Sequence, residues 1–411
     1  MRSPVRFVMA LGVVGAAFAG CSGDEGAVAD SRLPNSGGGG SGGAGGGVDG
    51  SAGSNTGGTG NVVTVPDAAP PDQDTDQDGI IDTEEGLGDS DGDGTPNVDD
   101  PINDGPPPPL KLTAISTTFT APIGIDYHEP TDSFIISVNY PTGSPDGFAR
   151  ILQDGSQQAF SSLSGLTEEV KIATVRSDNV GGFVTGDLFV GNGVDGQIAR
   201  ITANGQTLIN PWVDLPGDNN GLMRGSLYVD RTGEFGGDLM AVTTLGEVWR
   251  ITSSAAPSKL ASVGVHLEGA IVVPNKPARF GPLAGKLIAG AEEQTLLYAF
   301  SSDGTHVTYD VGVAVEDIDY ISPKENFFGV NYGTSQVLGA PASAFEGMLG
   351  DVILTQETVA SGQSGLFRLK YDGSKPVGEP ISLEPGSATV GQWEHVTFGA
   401  GGIKEVPPVP R

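Results

Sequence analysis

From about residue 110 to residue 403 the apolar positions fall in short runs rich in Val, Ile, Phe and Tyr, each ended by Gly, Asp, Asn or Pro. No stretch keeps a helical period for three turns, so the region reads as all-β. The runs recur in a fixed order. One strand opens with Gly and a charged residue, at Gly186-Asp187-Leu188, Gly237-Asp238-Leu239, Gly285-Lys286-Leu287 and Gly350-Asp351-Val352. The next opens at Gly147, Gly196, Gly246 and Gly365 and runs into Arg150, Arg200, Arg250 and Arg368. Turn dipeptides such as Asn204-Gly205 and Asp372-Gly373 follow it, as tight hairpins require. Upstream of such pairs lie further apolar strands at 123–127, 168–172, 224–228, 268–272 and 316–320, and a sixth at 394–398.

A four-stranded unit repeating every ~45–50 residues predicts a β-propeller, in which each blade buries its faces against its neighbours. Six inner strands predict six blades. The long interval from Glu316 to Glu394 leaves five or seven open, and a pair of packed sheets is the structural alternative. The segment 110–119 is expected to pair with the C-terminal strand and close the ring.

The first hundred residues are built differently. Arg2 and Arg6 precede an apolar run from Phe7 to Phe18 that is too short to span a membrane and ends in small residues, which predicts a secretory signal over 1–20. Phe18-Ala19-Gly20-Cys21 resembles the bacterial lipobox, and the resemblance implies that Cys21 is acylated, palmitate being one of its chains. Cys21 is the only Cys of the 411 residues, so no internal disulfide competes for it. Ser22 after it implies an outer-membrane lipoprotein. Residues 37–60 hold 14 Gly in 24 positions, and the whole of 21–71 is expected to be a disordered tether with no apolar surface to bury. A net charge of −30 argues against nucleic acid as a partner and favours cations.

Between Asp72 and Asp104 there are 13 carboxylates and no Lys or Arg. Asp74, Asp76, Asp78, Gly79, Asp82 and Glu85 stand at positions 1, 3, 5, 6, 9 and 12 of a calcium loop. Alternate carboxylates converge on one ion, the Gly allows the sharp turn, and the last carboxylate closes the sphere. Asp89, Asp91, Asp93, Gly94, Asn97 and Asp100 repeat the register. With Pro96 inside the second loop, the segment 72–105 is similar to thrombospondin type-3 repeats, which implies a calcium-ordered stalk. Pro106 to Pro109 then forms a stiff spacer.

In the domain 110–403 no nucleophile elbow is present, and Gly191-Asn-Gly-Val-Asp-Gly196 precedes a strand-like run, not a helix, which makes it a turn. His266 and His395 flank inner strands and read as structural. Aligning those strands puts Glu168, Glu268, Glu316 and Glu394 in comparable positions, with Arg224 at a fifth. Carboxylates gathered at one mouth of a propeller channel would hold a divalent cation, calcium first, since no softer ligand cluster accompanies them. Leu267-Glu268-Gly269 followed by a Gly-Lys-Leu-Ile strand resembles gluconolactonase-type six-bladed propellers, whose metal-ligand Glu opens an inner strand. The expectation is a surface-anchored binding head for a protein, glycan or small molecule. The alternative that the resemblance implies is a metal-dependent hydrolase or lyase.

Overall fold

The computed structural model describes residues 73–400 apart from 91–92, 103–104, 117–118, 139–146, 153–154, 165, 167, 225–226 and 358–363. The expected signal, tether, Cys21 and Asp91 lie outside the described residues.

Six four-stranded antiparallel sheets form a six-bladed β-propeller. Blade one runs Ile125–His128, Ser133–Val138, Gly147–Ile151 and Gln157–Ser161 from the axis outward, and blades two, three and four repeat that order. Their innermost strands are Ile172–Thr174, Leu227–Val229 and Glu268–Val272. The second strands at Leu188, Leu239, Leu287 and Val352 are the Gly-Asp-Leu-like runs of the sequence, and the third strands carry the Arg.

The long interval from Glu316 to Glu394 comes from an exchange between two blades. Blade five begins with Asp317–Tyr320, but the hairpin Asn326–Asn331 and Gln336–Ala340 then crosses into blade six before the chain returns at Val352–Gln356. Blade six is completed inside by Trp393–Gly399 and outside by Thr113–Ser116. The N-terminal strand and the C-terminal strand therefore close the ring within one sheet, yet they are not paired. Thr113–Ser116 bonds to Gln336–Ala340, and the hairpin stands between the termini.

Apolar side chains fill the spaces between blades. Trp393, Phe327, Phe345 and Phe398 form one such cluster, with ring centroids 5.3–6.0 Å apart. Three segments distant in the chain meet there, so the closure is held by packing as well as by the ladder.

The acidic segment is laid against the propeller, where the sequence suggested a free-standing stalk. Ile80 is buried, Asp78 binds Arg279 of blade four at 2.6 Å, and Arg279 also pairs with Asp351 at 3.1 Å. Lys276 meets Asp74 at 3.1 Å, and Arg368 bonds the carbonyl of Gly105 at the other end of the segment. A carboxylate-rich strip with one buried Ile and two buried Arg beneath it gains more by docking than by remaining in solvent.

Candidate cation sites in the acidic segment and the channel

The two acidic loops share one hydrogen-bond scheme, displaced by 15 residues (89 − 74). Gly79 N donates to Asp74 at 3.2 Å and Gly94 N to Asp89 at 3.1 Å. Ile80 N donates to Asp78 and Thr95 N to Asp93, both at 2.6 Å. Gly79 and Gly94 have φ of 107° and 100°, a conformation that a side chain would strain. Asp82 and Asn97 close their loops from the ninth position: Thr75 N donates to Asp82 Oδ1 at 2.8 Å and Ser90 N to Asn97 Oδ1 at 2.9 Å. The second oxygen of Asp82 accepts the Thr75 hydroxyl. Both ninth-position side chains are thus occupied as fasteners.

The first loop turns its remaining carboxylates toward each other. Asp74, Asp76 and Asp78 each bring one oxygen to within 4.8 Å of the others. Asp74 Oδ1, Asp76 Oδ2 and Glu85 Oε2 are buried and have no hydrogen-bond partner among the described residues. Burial, then repulsion from Asp78, pushes the Asp76 carboxyl up to about 6, and burial with Asp78 and Asp76 pushes Glu85 up to about 8. The helical turn Asp82–Glu85 puts Glu85 there, and Asn97 Nδ2 ties the carbonyl of Glu85 to the second loop at 3.1 Å. A hollow of about 20 Å³ lies between Glu85, Asn97, Asp100 and Arg279, large enough for one water or ion.

The channel mouth at which the innermost strands begin holds a second cluster. Lys171, buried, lies 3.1 Å from Glu268 and also binds Glu316. His266 lies 3.0 Å from Glu268 and 2.9 Å from Glu292. Glu292, Glu316 and Glu357 bring oxygens within 4.8 Å of each other. Gln392 bridges Glu357 and Glu394 at 2.7 and 2.8 Å, and the other oxygen of Glu394 is buried without a partner. Gly269, at φ 57°, bulges the strand after Glu268, and a Cβ there would meet the Asp317 backbone at 2.8 Å.

This cluster carries cations of its own. Burial works against charge on His266, but hydrogen bonds to Glu268 and Glu292 win and push it up to about 9. Burial likewise opposes charge on Lys171, yet Glu268 and Glu316 hold its pKa well above the ordinary value. Burial raises Glu268, and Lys171 and His266 reverse this to leave it below the usual range. Burial and the neighbouring carboxylates push Glu316 well up; in Glu394 burial with Glu169 outweighs Lys171 to the same effect.

No known family model matches this sequence, and no curated protein matches it. Among solved structures the chain is similar to a putative gluconolactonase, at 12% identity over 70% of this chain and 84% of that one, with a TM-score of 0.44. It is also similar to a streptogramin B lyase (10% identity, 70% and 80% covered, TM-score 0.42) and to a virginiamycin B lyase from Staphylococcus aureus (14%, 71% and 97%, 0.41). Likenesses of this size carry no inference about activity, and the six blades stand on the chain's own ladders.

Of the four channel carboxylates singled out in the sequence, the structure brings Glu268, Glu316 and Glu394 together and leaves Glu168 aside. Thr174, Val229, Val272 and Tyr320 pair with Leu188, Leu239, Leu287 and Val352, which fixes the common register. Glu268 stands before the bulge and faces Gly290, three residues on from Leu287, and the same three steps from Leu188 and Val352 put Lys171 in its place in blade two and Asp317 in blade five. Glu168 is at the rim, 2.7 Å from Arg224. The side chains that sequence reasoning missed are Lys171, Glu169, Glu292 and Glu357. The last two each stand five residues after the start of a second strand, at Leu287 and Val352, and that shared placement was the available signal.

Proposed function

We propose that this protein is a lipid-anchored lipoprotein of the bacterial outer membrane whose propeller is a binding head, stabilised by calcium held in the acidic segment. The observation that supports this most is the set of three buried, unpartnered oxygens on Asp74, Asp76 and Glu85. Carboxylate oxygens left bare in a buried loop cost free energy unless a cation meets them, and oxygen donors at this spacing suit calcium. Asp78 and Asp74 are also held by Arg279 and Lys276, so an ion bound there would fasten the segment to the head. Acylation of Cys21 rests on the sequence alone.

The test is calorimetric and thermal titration of the mature chain with calcium. Binding in the roughly 10⁻⁴–10⁻³ M range of extracellular modules, with a matching rise in melting temperature, is expected. A head that melts identically in calcium and in chelator overturns the reading. For the anchor, palmitate label that persists in Cys21→Ala would refute acylation at that residue.

A second reading, a metal-dependent hydrolase or lyase, draws on one observation: His266 borders a polar cleft of about 390 Å³ between the turns of blades three and four, next to the channel cluster. Glu292, Glu316 and Glu357 would hold the ion, which when bound would polarise a carbonyl oxygen. Lys171 and His266 already supply positive charge to the neighbouring carboxylates, which makes this the weaker of the two sites. Magnesium- or calcium-dependent opening of a sugar lactone by the mature chain, lost in Glu316→Gln, would favour it over the first.

A further inference from the structure

The opposite mouth of the channel, where the innermost strands end, opens into a cavity of about 430 Å³ spanning blades three, four and five. That is within the range of small-molecule sites, and nothing above assigns it a role. Its floor is apolar and aromatic: Tyr228 comes from the innermost strand of blade three, Val272 and Pro274 from the end of that of blade four, and Tyr320 from blade five.

Four polar groups that face this cavity make no side-chain hydrogen bond to any described residue: the hydroxyls of Tyr228 and Tyr320, the amide of Asn275 and the hydroxyl of Ser322. The charged groups, by contrast, are largely spoken for. Arg231 lies between Asp178 at 3.1 Å and Glu325 at 4.0 Å, and Lys276 pairs with Asp74 at 3.1 Å. With Asp178, Glu234 and Glu325 against Arg231 and Lys276, the latter already paired with Asp74, the lining is net acidic and disfavours an anionic ligand. It offers the parts of two tyrosine rings that the blade cores leave uncovered, with hydroxyl and amide groups beside them for hydroxyl partners.

We propose that this cavity binds a neutral saccharide unit. The tyrosine rings supply the stacking surface, while Asn275, Ser322 and the tyrosine hydroxyls read the sugar hydroxyls. Asn275 both donates and accepts, and Ser322 does so with a rotating hydroxyl, which matches a ligand whose every hydroxyl is donor and acceptor. The docked acidic loop walls one side through Lys276. The site is independent of the channel cluster and of whether the loop holds calcium.

The experiment is saturation-transfer NMR and calorimetry on the mature chain with glucose, galactose, mannose, N-acetylglucosamine and their β-linked disaccharides. At least one member should bind at millimolar or tighter Kd. Tyr320→Ala and Asn275→Ala should each weaken it about tenfold or more, whereas Glu168→Gln at the other mouth leaves it unchanged. Should Tyr320→Ala fail to fold, Ser322→Ala with Asn275→Ala carries the test. No binding across the panel, or binding indifferent to Asn275 and Ser322, overturns the proposal. A negative result in the calcium titration leaves this outcome unaffected, so the two readings fail separately.

Discussion

The acidic loop at 74–85 and the channel cluster gather similar numbers of carboxylates, and they compensate them in opposite ways. In the channel the neutralising charge is built in: Lys171 lies between Glu268 and Glu316, and His266 between Glu268 and Glu292. In the loop the protein supplies Arg279 and Lys276 at the edges and leaves three buried oxygens bare. A count of acidic residues therefore does not distinguish a cation site from an ion-paired core. What distinguishes them is whether the counter-charge is covalently part of the chain.

The harshest way to break the comparison is to remove the built-in charge. Lys171→Met strands Glu268 and Glu316 in the interior, and breaking a buried pair by deleting one partner costs about 3–5 kcal/mol. The loss should be largest near pH 7.5 and smaller near pH 5, where the stranded carboxylates take up protons. Urea unfolding at the two pH values measures it. A stability unchanged at pH 7.5 would show that the channel carboxylates are held protonated without the lysine.

The next effect lies in the loop, where the missing charge is supplied from solution. At free calcium about one hundred times Kd the expected gain is about 2.7 kcal/mol, or a rise in melting temperature of roughly 5 °C for a domain of this size. Asp76→Asn should abolish most of the calcium-dependent rise while leaving the chelator baseline unchanged or slightly higher, since it relieves repulsion there. An equal calcium response in Asp76→Asn and the parent chain would place the ion elsewhere.

The difference in compensation also explains what the sequence could disclose. The calcium loop is a local pattern, with donors a few residues apart, so alternate carboxylates and Gly79 were readable in order along the chain. The blades were readable for the same reason, each strand following its neighbour through a short turn. The exchanged hairpin 326–340 was not, because its partners at Thr113–Ser116 and Trp393–Gly399 lie far away in sequence. Nor was Lys171, which meets Glu268 and Glu316 across blades, 97 and 145 residues away. The misplacement of Glu168 has a narrower cause: the apolar pattern predicts a strand from residue 168, whereas the strand is only Ile172–Thr174, and a short slip in register carries a side chain off the channel.

A third way of keeping a shielded carboxylate, by proton, is open to the half-buried Asp319 on the innermost strand of blade five. Burial outweighs the hydrogen bonds from Tyr320 N and Phe398 N and pushes its carboxyl up to about 7. Here the folded state binds the proton more tightly than the unfolded chain, so stability is present below the unfolded value of 3.8 and is lost as pH rises through about 7. Between pH 5 and 7.5 the cost is on the order of 2 kcal/mol. Asp319→Asn should flatten that part of the stability profile in urea unfolding even if it lowers the overall level. A profile with the same slope would assign the pH dependence to other groups.

The smallest expected effect is the sharpest test of the register. Glu168 and Arg224 form a pair whose side chains are 26% and 32% exposed, and such pairs contribute about 0.2–1 kcal/mol. Glu168→Gln should therefore change stability by less than about 1 kcal/mol and leave the channel chemistry untouched. Glu169, its neighbour in sequence, also reaches Arg224, at 3.3 Å, but lies deeper. Burial raises its carboxyl, and Lys171 lies close enough to pull it back down while Glu268 pushes it up again. Glu169→Gln removes one negative charge from a cluster that holds more carboxylates than cations but also breaks the contact with Arg224, so its net effect on stability should be small, and it should lower the pKa of Lys171 by withdrawing an attractive partner. Titration of the Lys171 ammonium by NMR in both variants separates the two glutamates: a downward shift in Glu169→Gln and none in Glu168→Gln is expected. The reverse pattern would restore Glu168 to the channel and overturn the register on which the comparison rests.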